Sequence, residues 1–131
     1  MSKGLIRSLD STPSKPVEIP GVKGVRMALM VGRDDGAPNF ALRHFSLEPG
    51  GHSPRHSHDY EHEVYIVHGS GSVLLNGSEH PIKAGDVVFV PADHEHQFRA
   101  APTSSDPSAP ALRFLCLVPI TRNCGEPTPG S

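Results

Sequence analysis

Apolar residues along the chain fall into short runs, and residues that favour turns separate these runs. Short runs rich in β-branched and aromatic residues, bounded by such breaks, predict strands. The clearest example is VVFV at 87–90, which Pro91 ends. The pattern predicts strands at 25–31, 40–47, 63–67, 73–75, around Ile82, and at 87–90, 96–99 and 112–118.

Turn signals separate the predicted strands. Asn76-Gly77 is a two-residue hairpin signal, and the Gly-Ser segment 69–72 and residues 84–86 predict two further turns. The chain contains 13 Gly and 14 Pro, more than long helices tolerate. The sequence therefore predicts an all-β fold, an antiparallel sandwich or barrel of the jelly-roll kind.

The length of 131 residues fits one domain. Residues 1–24 are interrupted by Pro and Gly and predict an N-terminal arm with a short strand at 17–19. We expect the barrel to occupy 25–119. The Pro- and Gly-containing segment 120–131 predicts a flexible C-terminal tail.

Charge and cysteine content limit the partners and the compartment. Twelve basic and fourteen acidic residues give a net charge of −2, and without a basic stripe we expect no nucleic-acid partner. The apolar runs are too short for a membrane-spanning helix, and the first residues lack the apolar stretch of a secretion signal. Two cysteines, Cys116 and Cys124, make no disulfide framework. We therefore expect a cytoplasmic protein with reduced thiols and no membrane contact.

Histidine is the residue type that points to chemistry, because it is the commonest metal ligand. The chain has nine, and the spacing of four of them suggests one site. His56 and His58 are two positions apart, so on a strand both rings would point to the same face. A turn could bring His62 beside them, and the predicted strands between His62 and His96 make two hairpins that could return His96. No spacing argument assigns chemistry to the other five: His44, His52, His68, His80 and His94.

Residues 50–69 resemble the first motif of the cupin superfamily. That motif has a glycine, five residues, His-x-His, three or four residues, a ligand that is usually Glu, six residues and a second glycine. In this chain its positions hold Gly50, His56, His58, His62 and Gly69.

Residues 85–96 resemble the second cupin motif, which begins at Gly85 and places Pro91 and His96 at the expected positions. Asp93 and Ala100 stand where the motif usually has Gly and Asn. The resemblance covers about residues 40–118, and it implies a cupin jelly-roll barrel with one metal ion.

The main departure from the family pattern is His62 at the usual glutamate position. Glu63 is the rival ligand, but only five residues separate it from Gly69, whereas six separate His62 from that glycine. His62 also shares its strand phase with Val64 and Ile66, which favours an inward side chain. The stretches HSHDYEHE and FLCLVP resemble small manganese-binding cupins with four histidine ligands. We therefore favour four histidines over three histidines plus Glu63.

Four neutral imidazoles would leave the charge of a divalent ion uncancelled, which favours an anionic oxygen ligand. An octahedral ion would keep two adjacent positions open. No Cys lies near the two motifs in sequence, which argues against a closed structural zinc site. The resemblance implies Mn, then Fe; imidazole also suits Zn, Ni and Cu.

The resulting prediction is a metal-dependent protein with a small-molecule substrate, and we favour a dioxygenase-like oxidoreductase. Two alternatives stay open: a metal-dependent isomerase or lyase, and a non-catalytic small-molecule-binding cupin. No catalytic residue apart from the metal ligands can be assigned.

Residues of the substrate pocket follow from strand phase and from the resemblance. Phe98 shares its phase with His96. The resemblance places Phe114 and Cys116 of the last strand, and Arg43 and Phe45 of 40–47, toward the metal. Tyr60 is a candidate for the pocket rim. The family default is a homodimer, and strand 63–67 has two apolar faces that need cover, which the N-terminal arm of a partner could supply.

Overall fold

The computed structural model describes residues 3–104, 106 and 108–120. It contains eight strands and one 3₁₀ turn at Arg33–Asp35. The strands are β1 (Lys15–Pro16), β2 (Lys23–Val31), β3 (Phe40–His52), β4 (His62–Leu75), β5 (Ser78–Lys83), β6 (Val87–Val90), β7 (His96–Ala100) and β8 (Leu112–Pro119).

Every pair of neighbouring strands is antiparallel. β4 pairs with four other strands. Its first half pairs with β6 and β8, and its second half pairs with β5 and β7. β3 pairs with β2 and β8, and its last residue pairs with Arg99 near the end of β7; this closes the wall into a barrel. The predicted all-β jelly-roll fold is confirmed.

The prediction of a turn at 69–72 is wrong, because β4 continues without a break from His62 to Leu75. Gly69 has a φ of 81°, and the pairing of β4 with β8 shifts register just before it. A Cβ at Gly69 would overlap the carbonyl oxygen of Ala111. This glycine therefore allows a bulge and a close approach between strands, and it does not end the strand.

A second correction concerns the path from His62 to His96. β4 and β5 form the hairpin predicted at Asn76-Gly77. β6, however, pairs with the first half of β4 and not with β5. The connection at 84–86 thus crosses to another part of the same strand, and β7 then returns to the far half of β4.

The N-terminal arm forms its short strand at Lys15–Pro16 rather than at 17–19, and this strand pairs with β2. Farther back, Arg7 forms an ion pair with Asp35, and Asp10 forms one with Arg113 of β8. The arm therefore lies along the barrel wall. The predicted flexible tail covers residues 120–131. Its residues after position 120, including Cys124, lie outside the described part of the chain.

The barrel interior is filled by alternate side chains of the strands. In β8 the even positions from Leu112 to Val118 are at most 1% exposed, whereas the odd positions are half-buried. The ring of Phe114 stacks on Phe45 at 5.3 Å and on Phe98 at 4.7 Å between centroids, within the range of favourable aromatic pairs. Among the described residues, no helix is long and apolar enough to cross a membrane.

Candidate metal centre

His56 and His96 are held together by backbone pairing. They form an isolated antiparallel bridge, in which the amide of His56 donates to the carbonyl of His96 at 3.2 Å and the amide of His96 donates back at 2.8 Å. His96 is the first residue of β7, whereas His56 and His58 lie in the loop between β3 and β4. The His-x-His pair is therefore not on a regular strand, but the rings of His56 and His58 still meet, with centroids 4.4 Å apart.

Three of the predicted ligands form a compact group. One ring nitrogen from each of His56, His58 and His96 lies within 4.8 Å of the others. The ring of His56 is also 4.5 Å from that of His96. Three neutral imidazoles converging in this way could hold a metal ion.

The fourth predicted ligand, His62, is not a member of this group, but its ring lies beside it. Its centroid is 5.2 Å from that of His58 and 5.1 Å from that of His96. His62 begins β4 and is 1% exposed. Its Nε2 atom is buried and has no hydrogen-bond partner in the part of the chain that the structure describes, while Nδ1 lies 3.3 Å from the sulfur of Cys116. A metal ion would satisfy the lone pair of such a nitrogen, so the residues present fit a metal.

Electrostatics keep the His62 ring neutral. Burial, reinforced by the neighbouring His96 and by the positive charge of Arg43, lowers the pKa of His62 to about 2. A metal ligand must be unprotonated, so this ring is ready to coordinate at neutral pH.

Glu63, the rival ligand, lies on the opposite face of β4. Its side chain is exposed, and its strand partners are Phe89 and Leu117. Burial and a hydrogen bond with Glu61 raise the pKa of Glu63. The alternation along β4 thus directs His62 inward and Glu63 outward, as its phase with Val64 and Ile66 predicts.

A neighbouring carbonyl orients another member of the group. The Nδ1 of His96 lies 3.0 Å from the carbonyl oxygen of His94, which only accepts, so that nitrogen donates and Nε2 keeps its lone pair. This is the usual support of a metal-bound imidazole. Sequence reasoning missed this role of His94, because a backbone contact depends on the local chain path and carries no residue-type signal.

Tyr60 stacks on the ring of His58 with centroids 4.8 Å apart and planes 6° apart. It also lies 5.3 Å from the ring of His62, and its side chain is partly buried. The residue predicted for the pocket rim therefore flanks two of the histidines.

The remaining predicted pocket residues all point into the barrel, at two different depths. Phe98 is 6.4 Å from the ring of His96, and Cys116 contacts His62. Phe45 and Phe114 stack on each other in the core. Arg43 is fully buried, its guanidinium 5.4 Å from the centroid of the Phe45 ring and 3.4 Å from the sulfur of Cys116.

The contact of Cys116 with His62 agrees with the inward direction that the resemblance implies for Cys116. Both cysteines are remote from the two motifs in sequence, yet Cys116 is close to the histidines in space. The pairing of β4 with β8, which aligns Val64 with Cys116, brings it to the Nδ1 side of His62. Predicting this contact requires the register of β4 and β8, and a single sequence does not give that register.

Comparison with known proteins agrees with the motifs. Residues 43–108 match the family model described as the cupin domain. The oxalate-binding protein of Thermotoga maritima is 36% identical over 119 residues, which cover 87% of this chain and 92% of that protein. The 1-methylthio-D-xylulose 5-phosphate methylsulfurylase of Rhodospirillum rubrum is 37% identical over 82 residues, 63% of this chain and 49% of that protein. The chain thus spans about half the length of this second relative.

A solved structure shows the same fold. The polyketide cyclase RemF from Streptomyces resistomycificus superposes with a TM-score of 0.77 at 30% identity, over 91% of this chain and 80% of that one. The fold and the histidine cluster define a small barrel protein with a candidate metal centre. The chain belongs to the cupin family.

Proposed function

We propose that this cupin binds one divalent metal ion through His56, His58, His62 and His96 and acts on a small molecule as a dioxygenase-like oxidoreductase. The observation that carries the metal site is the convergence of three imidazoles next to the ring of His62, whose buried Nε2 has no hydrogen-bond partner among the described residues. The family resemblance favours Mn, followed by Fe.

When bound, the ion would supply a Lewis-acid centre able to bind water, dioxygen or a bidentate substrate. The chain's own residues set the charge around it. All four imidazoles are neutral ligands, and Arg43 adds a fully buried positive charge near His62. Such an interior favours a substrate with anionic oxygen atoms, such as a carboxylate or an enolate.

Aromatic and apolar side chains shape the surroundings of the site. Tyr60 covers one face of the His58 ring, and Phe98 lies at the edge of His96. These contacts restrict the rings to few orientations, and they place aromatic surface against the cluster. The substrate is therefore expected to approach from the side of the partly buried Tyr60.

A second candidate function uses the same ligands without oxidation. The similarity to a polyketide cyclase favours a lyase- or isomerase-like reaction in which the ion polarises a carbonyl group. The similarity to an oxalate-binding protein along nearly its full length favours simple binding of a small dicarboxylate. Metal content, metal dependence and oxygen consumption distinguish these functions.

The first experiment measures metal content. Wild type, His58→Ala, His62→Ala and Glu63→Ala are purified without added metal and analysed by mass spectrometry of the elements, with the exposed His80→Ala as control. We expect the His58 and His62 variants to lose the metal, and the Glu63 and His80 variants to retain it. Metal retained without His62 but lost without Glu63 would overturn the ligand assignment.

The second experiment measures the reaction. Metal-free protein is reloaded with Mn²⁺, Fe²⁺ or Zn²⁺ and incubated with catechol, acetylacetone or oxalate. Oxygen consumption is measured with an oxygen electrode, and substrate turnover is measured in the same samples. Oxygen consumption with Mn²⁺ or Fe²⁺ but not with Zn²⁺, absent in His58→Ala, supports the oxidoreductase. Substrate turnover with Zn²⁺ alone would support the carbonyl-polarising reaction, and saturable oxalate binding without turnover would support a binding protein.

A further inference from the structure

The sulfur of Cys116 lies between two buried side chains. It is 3.3 Å from Nδ1 of His62 and 3.4 Å from a terminal nitrogen of Arg43. All three side chains are at most 1% exposed. No solvent reaches this contact, so its polar atoms depend on one another for hydrogen bonds.

The contact decides which nitrogen of His62 carries the proton. A neutral imidazole has one N–H and one lone pair. A proton on Nε2 would be an unsatisfied buried donor, since Nε2 has no hydrogen-bond partner among the described residues. A proton on Nδ1 instead has the sulfur as acceptor, and it leaves a lone pair on Nε2 of a ring that lies 5.2 Å from His58 and 5.1 Å from His96 between centroids.

We propose that Cys116 is a positioning residue: its sulfur accepts a hydrogen bond from Nδ1 of His62 and so holds the tautomer and ring orientation that metal binding needs. This inference rests on the proposed metal site. In most metal sites a carboxylate or a carbonyl oxygen fills this role, as the carbonyl of His94 does for His96.

Arg43 strengthens the arrangement by holding the acceptor. It donates to the same sulfur, and it is anchored in the core over the ring of Phe45. The sulfur therefore has little freedom to leave Nδ1. A carboxylate in its place would bring a negative charge close to the cluster, whereas a neutral thiol brings none.

The test compares Cys116→Ala and Cys116→Ser with Val118→Ala. Val118 lies on the same inward face of β8 and is also 1% exposed, so its truncation makes a cavity without removing a hydrogen bond. Zinc affinity is measured by competition with a coloured chelator, and folding is checked by thermal unfolding of the metal-free proteins. We expect Cys116→Ala to bind zinc about 10- to 100-fold more weakly, Cys116→Ser to recover part of the loss, and Val118→Ala to match wild type.

A spectroscopic readout tests the tautomer without any metal. In ¹⁵N-labelled metal-free protein at pH 8, the His62 ring, assigned with His62→Gln, should show a protonated Nδ1 and an unprotonated Nε2. Cys116→Ala should lose this preference, and Val118→Ala should keep it. A protonated Nε2 in wild type, or equal zinc affinity of folded Cys116→Ala and wild type, would overturn the role of Cys116. Absence of zinc binding in wild type would instead refute the metal site, and the tautomer measurement would still decide on Cys116.

Discussion

Two glycines in β4 occupy positions where a side chain would not fit. A Cβ at Gly69 would overlap the carbonyl oxygen of Ala111, and one at Gly71 would overlap that of Arg99. Gly69 also has a φ of 81°, in the left-handed region that disfavours residues with a Cβ. The cupin-motif glycine is thus a packing requirement of the wall between β4 and β8.

We expect Gly69→Ala to lower the free energy of unfolding by more than the ~1–2 kcal/mol that a left-handed backbone alone costs an L-residue, because the strand β8 must also move. Gly77→Ala is the matched control: Gly77 has a φ of 92°, but no atom of the described residues lies within 4 Å of the place its Cβ would take. Urea unfolding of both variants measures the difference. Equal losses would show that backbone strain alone makes Gly69 necessary.

At the residue scale, sequence spacing could select the group of histidines, because cupin ligands recur at positions tied to glycines and to a proline. Spacing also distinguishes His62 from Glu63, and the structure directs their side chains to opposite faces. The supports of the rings could not be predicted. The carbonyl of His94 and the sulfur of Cys116 reach their histidines through a turn and through a strand register, neither of which is encoded by local residue type.

At the element scale, Arg113 of β8 is one of the residues that hold the N-terminal arm against the barrel. Arg113 of β8 donates to Nε2 of His44 at 3.2 Å and forms an ion pair with Asp10 of the arm at 3.0 Å. Burial, together with the positive charge of Arg113, lowers the pKa of His44. The negative charge of Asp10 raises this pKa, but by less than the other two effects lower it. His44 is therefore neutral where it accepts from Arg113.

This contact predicts a pH dependence of stability. A histidine whose pKa is lowered by folding stabilises the folded state at pH values above its unfolded pKa of about 6.5. This stability is lost as the pH falls toward the lower pKa of the folded state. The loss in the free energy of unfolding is at most about 1.4 kcal/mol per pH unit. Metal-free wild type should therefore lose more unfolding free energy between pH 7.5 and 5.5 than His44→Asn does. The exposed His80→Asn should keep the wild-type slope. Identical slopes for His44→Asn and wild type would contradict this origin.

The elements differ in how far local sequence determines them. β6 has the predicted bounds, because Pro91 ends it and a fully apolar run fills it. The prediction of a turn within β4 is wrong. The Gly-Ser segment has the composition of a turn, but its conformation depends on the strands packed against it. Tertiary contacts override local preference at such positions.

At the scale of the whole molecule, one outer face of the barrel remains apolar. Tyr65 of β4 and Val87 and Phe89 of β6 are 48%, 72% and 54% exposed, and they lie on paired strands. Phe40 of β3 is also exposed. Exposed apolar side chains grouped on neighbouring strands in this way are typical of an interaction site, and we propose a second copy of the chain as its partner. The cytoplasmic location inferred from the thiols also stays a prediction.

We expect light scattering to give a dimer for wild type at micromolar concentrations, and a monomer for Phe89→Glu, because a buried unpaired carboxylate opposes association. Ser78→Glu, on the exposed edge of β5, is the control and should remain dimeric. A monomeric wild type would refute the proposed partner.

The bridge between His56 and His96 has a consequence for the order of folding. The two residues are 40 positions apart in sequence, and they meet where β7 pairs with β3 and β4. We expect contacts so distant in sequence to form late, and an ion that binds only after them slows unfolding without accelerating folding. The supply of metal would then set how long each folded molecule survives, while the rate at which new molecules fold stays the same.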